Sequence, residues 1–177
     1  MIGVLVSGEG SNLQALLDAG LPVSAVASSR PRARALERAA GVGVPALAFP
    51  LEDFVDRAQR DAAMANWLQE HGVRLVVCAG YMHLLTSGFL ERFPHRIVNV
   101  HPSLLPRFPG ARAIEDALAA GVETTGVTVH LVDEGLDTGP VVRQEPVPVE
   151  PRETLLERIH AVEHRLLPEV VGELCAR

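Results

Sequence analysis

The residues best suited to chemistry in this chain gather in one stretch, Asn99-Val100-His101-Pro102-Ser103-Leu104-Leu105-Pro106. An amide, an imidazole and a hydroxyl fall within it, directly after the strand-like run Arg96-Ile97-Val98. Asn99 and His101 alternate, so on an extended backbone both side chains project to the same side. An amide donor beside a protonated imidazole suits an oxyanion on a tetrahedral carbon. A histidine also moves protons near neutral pH. Two prolines forbid both a continuing strand and a regular helix. The polar groups are therefore held on a stiff loop at a strand end, where open α/β sheets bind ligands. Taken alone, His101 also fits a structural role in a loop.

Two further loops carry polar groups. Gly8-Glu9-Gly10-Ser11-Asn12 lies between the apolar run Ile2–Val6 and a helical pattern begun by Leu13, Leu16 and Leu17. Free backbone N–H groups and the positive end of a helix dipole meet there, which suits an anion. Glycines let the backbone approach a phosphate, and Ser11 and Asn12 add donors. The alternative is an N-capped helix after a tight turn. Leu13 replaces the third glycine of the dinucleotide fingerprint, which argues against a nicotinamide enzyme. Glu9 would repel a phosphate unless its carboxylate points outward.

The other loop is Gly135-Leu136-Asp137-Thr138-Gly139-Pro140. A carboxylate brought beside His101 would favour the imidazolium and fix the ring; a turn residue between two glycines needs no such role. Thr128 and His130 alternate on the preceding strand and fit the core, the surface or the same pocket. His71, His95 and His160 show no metal-ligand grouping, and zinc spacing of Cys and His is absent, so no metal is expected.

These loops need elements to position them. Ile2–Val6 reads as a buried strand. Pro22–Ser28 and Val44–Phe49 read as two more strands, with an Arg/Ala-rich helix, Pro31–Ala40, between them. Asp53 is expected to cap a helix running to His71, stopped by Gly72. Arg74–Ala79 is a central strand, Ser87–Arg92 a short helix, Ile97–Val100 a strand and Ile114–Ala120 a helix. Thr124–Val132 and Pro140–Val149 alternate like antiparallel strands at a sheet edge. Glu153–Cys175 is a closing amphipathic helix, expected to bend or break near Pro168. The class is α/β, a mostly parallel sheet with antiparallel strands late in the chain and helices on both faces.

At 177 residues with 47% hydrophobic content, one domain over 1–177 with a real core is the simplest arrangement. A formal net charge of -6 argues against a phosphate-tracking nucleic-acid surface. All 16 basic residues are Arg, which excludes Schiff-base and P-loop lysine chemistry. Cys78 and Cys175 make no disulfide framework, pointing to a reducing cytoplasm, and Cys78 reads as a buried small residue rather than a nucleophile. The chain opens on Ile2–Val6 without a basic leader, so no signal peptide is expected. No stretch approaches the roughly 20 apolar residues of a membrane helix.

In their order along the chain, the Gly-x-Gly-Ser-Asn turn, Asn-x-His-Pro-Ser-Leu-Leu-Pro and Leu-Asp-x-Gly-Pro resemble the folate-dependent formyltransferases, over a span from Ile2 to Pro168. The Gly-Ser-Asn loop selects the branch with a small substrate. The resemblance implies a Rossmann-like formyltransferase fold. It implies transfer of the formyl group of 10-formyltetrahydrofolate, a co-substrate, to the amino group of N1-(5-phosphoribosyl)glycinamide in de novo purine biosynthesis. It puts Asn99, His101 and Asp137 at the catalytic centre, and Gly10, Ser11 and Asn12 at the substrate phosphate. Met82, His83, Leu84 and Leu85, with Asn99, would hold the folate, largely through backbone groups. Arg57 matches a folate-contacting arginine and Glu163 a substrate-contacting glutamate.

Glu9, His83 and Arg112 depart from the family pattern without touching the catalytic set. The implied partners are small molecules, glycinamide ribonucleotide and folate, with no nucleic acid and no membrane, for a cytoplasmic monomer or homodimer. A transfer-RNA formyltransferase would carry a further C-terminal domain. A 10-formyltetrahydrofolate hydrolase would share the Asn-His-Asp centre, and a non-catalytic folate- or phosphate-binding module would share the fold.

Overall fold

The branched apolar runs pair into a seven-stranded sheet of order β3-β2-β1-β4-β5-β6-β7, seen in a computed structural model that describes residues 1–176. The strands are β1 (Ile2–Val6), β2 (Val23–Ser28), β3 (Ala46–Ala48), β4 (Leu75–Cys78), β5 (Ile97–His101), β6 (Thr124–Leu131) and β7 (Val141–Pro148). The first five are parallel, whereas β6 pairs antiparallel with both β5 and β7. This is the expected α/β class. Arg177, the last residue of the expected domain, lies outside the described residues.

Helices cover both faces: α1 (Ser11–Asp18), α2 (Arg34–Gly41), α3 (Arg57–Glu70), α4 (Ser87–Leu90), α5 (Ala113–Ala119) and α6 (Leu155–Cys175). Side chains alternate across a strand, so the sheet feeds two cores. Val4, Val77, Val98 and Val129 pack with Leu13, Ile159 and Leu167, under α1 and α6. Leu5, Val76, Cys78 and Ile97 pack with Met64, Leu68 and Phe89, under α3 and α4. Asn99 and His101 share the parity of Ile97, beyond the apolar cover of that core. Their partners across β6 are His130 and Thr128. The same alternation that buries β5 thus leaves four polar side chains together at its carboxyl end.

Helix α2 begins at Arg34 rather than Pro31, α4 ends at Leu90 rather than Arg92, and α6 begins at Leu155 rather than Glu153. Two further differences, in α3 and α6, bear on packing. Asp53 ends a short 3-10 turn, Leu51–Asp53, and the cap of α3 is Asp56, whose carboxylate accepts from Gln59 N at 2.8 Å. Both aspartates fit a cap, and the intervening turn decides between them. Helix α6 runs unbroken through Pro168. Proline inside a helix costs about 3 kcal/mol, yet Leu166, Leu167, Val170 and Val171 are buried around it. Each such burial contributes roughly 1.5–3 kcal/mol, so packing on the sheet wins.

Candidate active site

After β1 the chain moves outward to β2 and β3, then returns to set β4 on the other side of β1. A reversal of this kind opens a crevice at the carboxyl ends of the strands. A cleft of about 460 Å³ lies there. Its walls are the Gly8–Asn12 loop after β1, the Ala79–Leu85 loop after β4, the end of β5, the Gly135–Asp137 turn, and His160 and Glu163 of α6.

At one end Asp137 draws three side chains together. His101 Nδ1 is 3.4 Å from Asp137 Oδ2, and Asn99 Nδ2 donates to Asp137 Oδ1 at 3.4 Å. His130 Nε2 stands 3.6 Å from the same Oδ1 and 3.1 Å from Asn99 Nδ2. The backbone N–H of Gly110 donates to Asp137 Oδ2 at 2.7 Å. Carbonyl partners fix the ring tautomers, since a carbonyl can only accept. His101 Nε2 therefore carries a proton toward Phe108 O at 2.8 Å, and His130 Nδ1 one toward Leu131 O at 2.8 Å. Burial pushes the Asp137 carboxyl up, but the neighbouring His130, the Gly110 N–H and the charge of His101 outweigh it, leaving the group below its ordinary value. Asp137 is held ionised.

Local geometry explains how the sequence achieves this. Asp137 sits at φ 54°, a left-handed conformation that aspartate tolerates better than most residues. The turn then folds back so closely that a Cβ on Gly139 would stand 1.8 Å from Leu131 O. On the opposite side the Pro102–Ala111 segment crosses the β5–β6 face. Thr128 Oγ1 donates to Ser103 O at 2.6 Å and accepts from Leu105 N at 3.1 Å, and Gln144 donates to Leu105 O at 2.8 Å. Thr128 is thus a support for the loop, and His130 a member of the site. The alternation beginning at Thr124 was the signal that placed both on this face.

The other end of the cleft is built from main chain. Gly10 precedes α1 at φ 73°, no side chain caps the helix, and its first turn has no acidic residue. A Cβ on Gly10 would meet Ala35 Cβ at 2.6 Å and Ala35 Cα at 2.8 Å, so α2 can approach only a glycine here. Ser11 and Asn12 line the cleft above the helix N-terminus. Glu9 turns its carboxylate to Arg34, 3.3 Å away, while Arg38 Nε donates to Glu9 O at 2.8 Å. The outward direction removes its conflict with an anion. Glu163 is buried and accepts from Asn12 Nδ2 at 3.2 Å. Burial raises its carboxyl above the ordinary value, against the Asn12 hydrogen bond and the charge of His160.

The third wall is apolar. Met82, Leu84 and Leu136 rim it at 56%, 45% and 50% exposure, and Met82 N donates to Ser7 Oγ at 3.0 Å. An exposed rim of this kind fits a flat ring system whose polar edge meets main chain. His83 and Leu85 line it too. Burial lowers the His83 pKa, helped by the charges of Arg60, Arg30 and Arg57. Arg57 itself is exposed at the start of α3 and is not brought to the lining, nor is Arg112, which precedes α5. Cys78 forms part of the floor, its thiol pushed up to about 12 by burial, which makes it inert as a nucleophile. Among the described residues no His, Cys, Asp and Glu group stands where it could hold a metal ion, and no helix is long and apolar enough to cross a membrane.

Known proteins share this architecture. A family model described as formyl transferase matches residues 1–171. The phosphoribosylglycinamide formyltransferase of Mycobacterium tuberculosis is 48% identical over 97% of the chain and 83% of its own length. The trifunctional purine biosynthetic protein adenosine-3 of Drosophila melanogaster is 41% identical over 98% of the chain, which spans only 14% of that protein. The crystal structure of phosphoribosylglycinamide formyltransferase from Streptococcus pneumoniae TIGR4 superposes with a TM-score of 0.93 at 45% identity, covering 98% of this chain and 97% of that one.

Proposed function

Because the chain belongs to the formyl transferase family, we propose that it carries the formyl group of 10-formyltetrahydrofolate to the amino group of N1-(5-phosphoribosyl)glycinamide, in de novo purine biosynthesis. The observation that carries this reading is the arrangement of the cleft. Asn99 and His101 stand 3.4 Å from one carboxylate held ionised, and across a cleft of about 460 Å³ the uncapped main chain at the start of α1 faces them.

Gly10, Ser11 and Asn12 bind the substrate phosphate through main-chain N–H groups and short side chains. Glu163, already holding Asn12, meets the sugar or the glycinamide. Met82, His83, Leu84 and Leu85 take the folate ring against the apolar rim, with Asn99 at its reacting edge. Arg57, outside the cleft, meets the anionic tail of the folate where it leaves over His83.

The substrate amine attacks the formyl carbon, forming the new C–N bond and placing negative charge on the formyl oxygen. Asn99 Nδ2 and His101 Nδ1 both rest on Asp137 at 3.4 Å, longer than an ordinary hydrogen bond. These are the contacts that the developing oxyanion replaces, at about 3 kcal/mol per donor. Asp137 stabilises the imidazolium and relays the amine proton through a water. The bond to folate N10 then breaks and N10 takes the proton, so the proton count balances. His130 orients Asn99 and closes the carboxylate from behind.

On this reading the protein works on small molecules in the cytoplasm, as a monomer or homodimer. Formyl release from 10-formyltetrahydrofolate, followed with and without glycinamide ribonucleotide, tests the reading. Release is expected only with the ribonucleotide, as one formylated product per folate consumed. Equal release without it would make the protein a hydrolase, and no release in either case a binding module.

A further inference from the structure

Two consecutive charged residues of α3 hold the Tyr81–Leu85 wall of the cleft at both ends. Arg60 and Asp61 are each 0% exposed. Arg60 Nε and Nη2 donate to Asp61 Oδ1 at 2.9 and 2.7 Å. Adjacent helix positions do not face each other, so the guanidinium folds back along its own helix to make this pair. Asp61 Oδ2 accepts from Thr86 N at 2.8 Å, where the wall ends and α4 begins. Arg60 Cζ lies 6.0 Å from the centroid of the Tyr81 ring, where the wall begins. Between the two grips, Met82 and Leu84 are exposed.

Stability gives no reason for this pair. A buried ion pair is often no better than apolar residues of the same volume. Here the satisfaction is incomplete as well, because Arg60 Nη1 and the Tyr81 hydroxyl are buried without a hydrogen-bond partner. What the pair does is connect one helix to both ends of a short loop whose main chain borders the cleft.

We propose that Arg60 and Asp61 are positioning residues for the folate, fixing the Tyr81–Leu85 main chain in its binding conformation before the folate arrives. The proposal rests on the reading that this wall binds folate. A loop already ordered loses little entropy on binding; a loop released at either end must be ordered by its ligand. The effect should therefore fall on the folate and spare the ribonucleotide, whose seat lies at α1.

Tetrahydrofolate titrations of the full chain, with the KM of each substrate, test this. The R60M/D61L double variant removes both charges without leaving one unpaired. The T86P variant removes the N–H that donates to Asp61 and leaves both buried charges paired, at a position whose extended backbone, at φ -74°, suits proline. R60M/D61L is expected to weaken tetrahydrofolate binding and raise the 10-formyltetrahydrofolate KM by about tenfold, with the ribonucleotide KM unchanged. T86P should shift the same quantities by a smaller factor, and it decides the matter if the double variant fails to fold. A folded variant that binds tetrahydrofolate like wild type, or raises both KM values together, overturns the proposal. A wild-type protein that binds no tetrahydrofolate overturns the folate reading itself, and this proposal with it.

Discussion

The two ends of the cleft do opposite things with the same kind of loop. At the α1 end a turn after β1 presents bare main chain, and its side chains are small or directed away, as Glu9 is toward Arg34. At the β5 end the main chain is occupied, and the work falls to Asn99, His101, His130 and Asp137, delivered from β5, β6 and the turn after β6. An anion that arrives already charged needs only fixed N–H dipoles. Charge that develops during a reaction needs donors that can change partner, and Asp137 supplies the resting partner. On the proposed function, the α1 end should therefore tolerate side-chain changes but not an added Cβ, and the β5 end the reverse.

The largest expected effect breaks the reacting end. His101→Ala removes one donor, and Asp137→Asn removes the charge that holds both. Each should lower kcat by about 10²–10³, with the KM of either substrate changed by less than about threefold. Steady-state kinetics with both substrates varied measure this split. A near-normal kcat in either variant would sink the assignment of the centre.

Gly10→Ala attacks the opposite end. The added methyl must adopt φ 73° and meets Ala35 within 2.8 Å. The left-handed backbone alone costs an alanine roughly 1–2 kcal/mol, and the contact with α2 adds to it. The variant should melt earlier and show a raised ribonucleotide KM, its folate KM holding. Ser11→Ala, which keeps the main chain, should disturb the KM far less; if the two variants behave alike, the seat is not a main-chain device.

Acid separates the ends in another way. The folded Asp137 carboxyl lies below its ordinary value of 3.8. Its contribution to stability is therefore complete above that value and is lost as pH falls through the lower, folded one. Thermal melts of wild type and Asp137→Asn should differ at neutral pH and converge in strong acid. A gap that stays constant with pH would mean that Asp137 acts through shape and not through charge.

The difference between the ends also explains what was legible in the sequence. The proposed anion seat is local: strand, glycines and helix follow one another within a few residues, and each leaves its own mark. The proposed reacting centre is not local. Asn99 and His101 announce themselves by alternation, but the alternation of His130 fits core, surface and pocket alike until β6 pairs with β5 and sets it opposite Asn99. Asp137 stands out only with the whole motif around it, since a carboxylate between two glycines otherwise reads as a turn. The cap of α3 moved from Asp53 to Asp56 because two adjacent caps compete and a 3-10 turn takes the first. Arg60 carries no such mark: a charged residue in a helix reads as solvated, and only the packing of α3 buries it.

The smallest effect sharpens the anion end. Glu9 is the only acidic side chain in that loop, and its ion pair with Arg34 is exposed on both sides, at 71% and 63%. Exposed pairs of this kind contribute about 0–1 kcal/mol, so Glu9→Gln should change stability by less than about 0.5 kcal/mol. Its influence on a bound phosphate acts through water and is screened within about 10 Å at 0.1 M salt. The variant should therefore lower the ribonucleotide KM slightly at low ionic strength, because a repelling charge is gone, and the gain should vanish as salt is added. Kinetics at two salt concentrations measure both signs. A raised KM would mean that the carboxylate turns inward and contacts the substrate, and the seat would no longer be main chain alone.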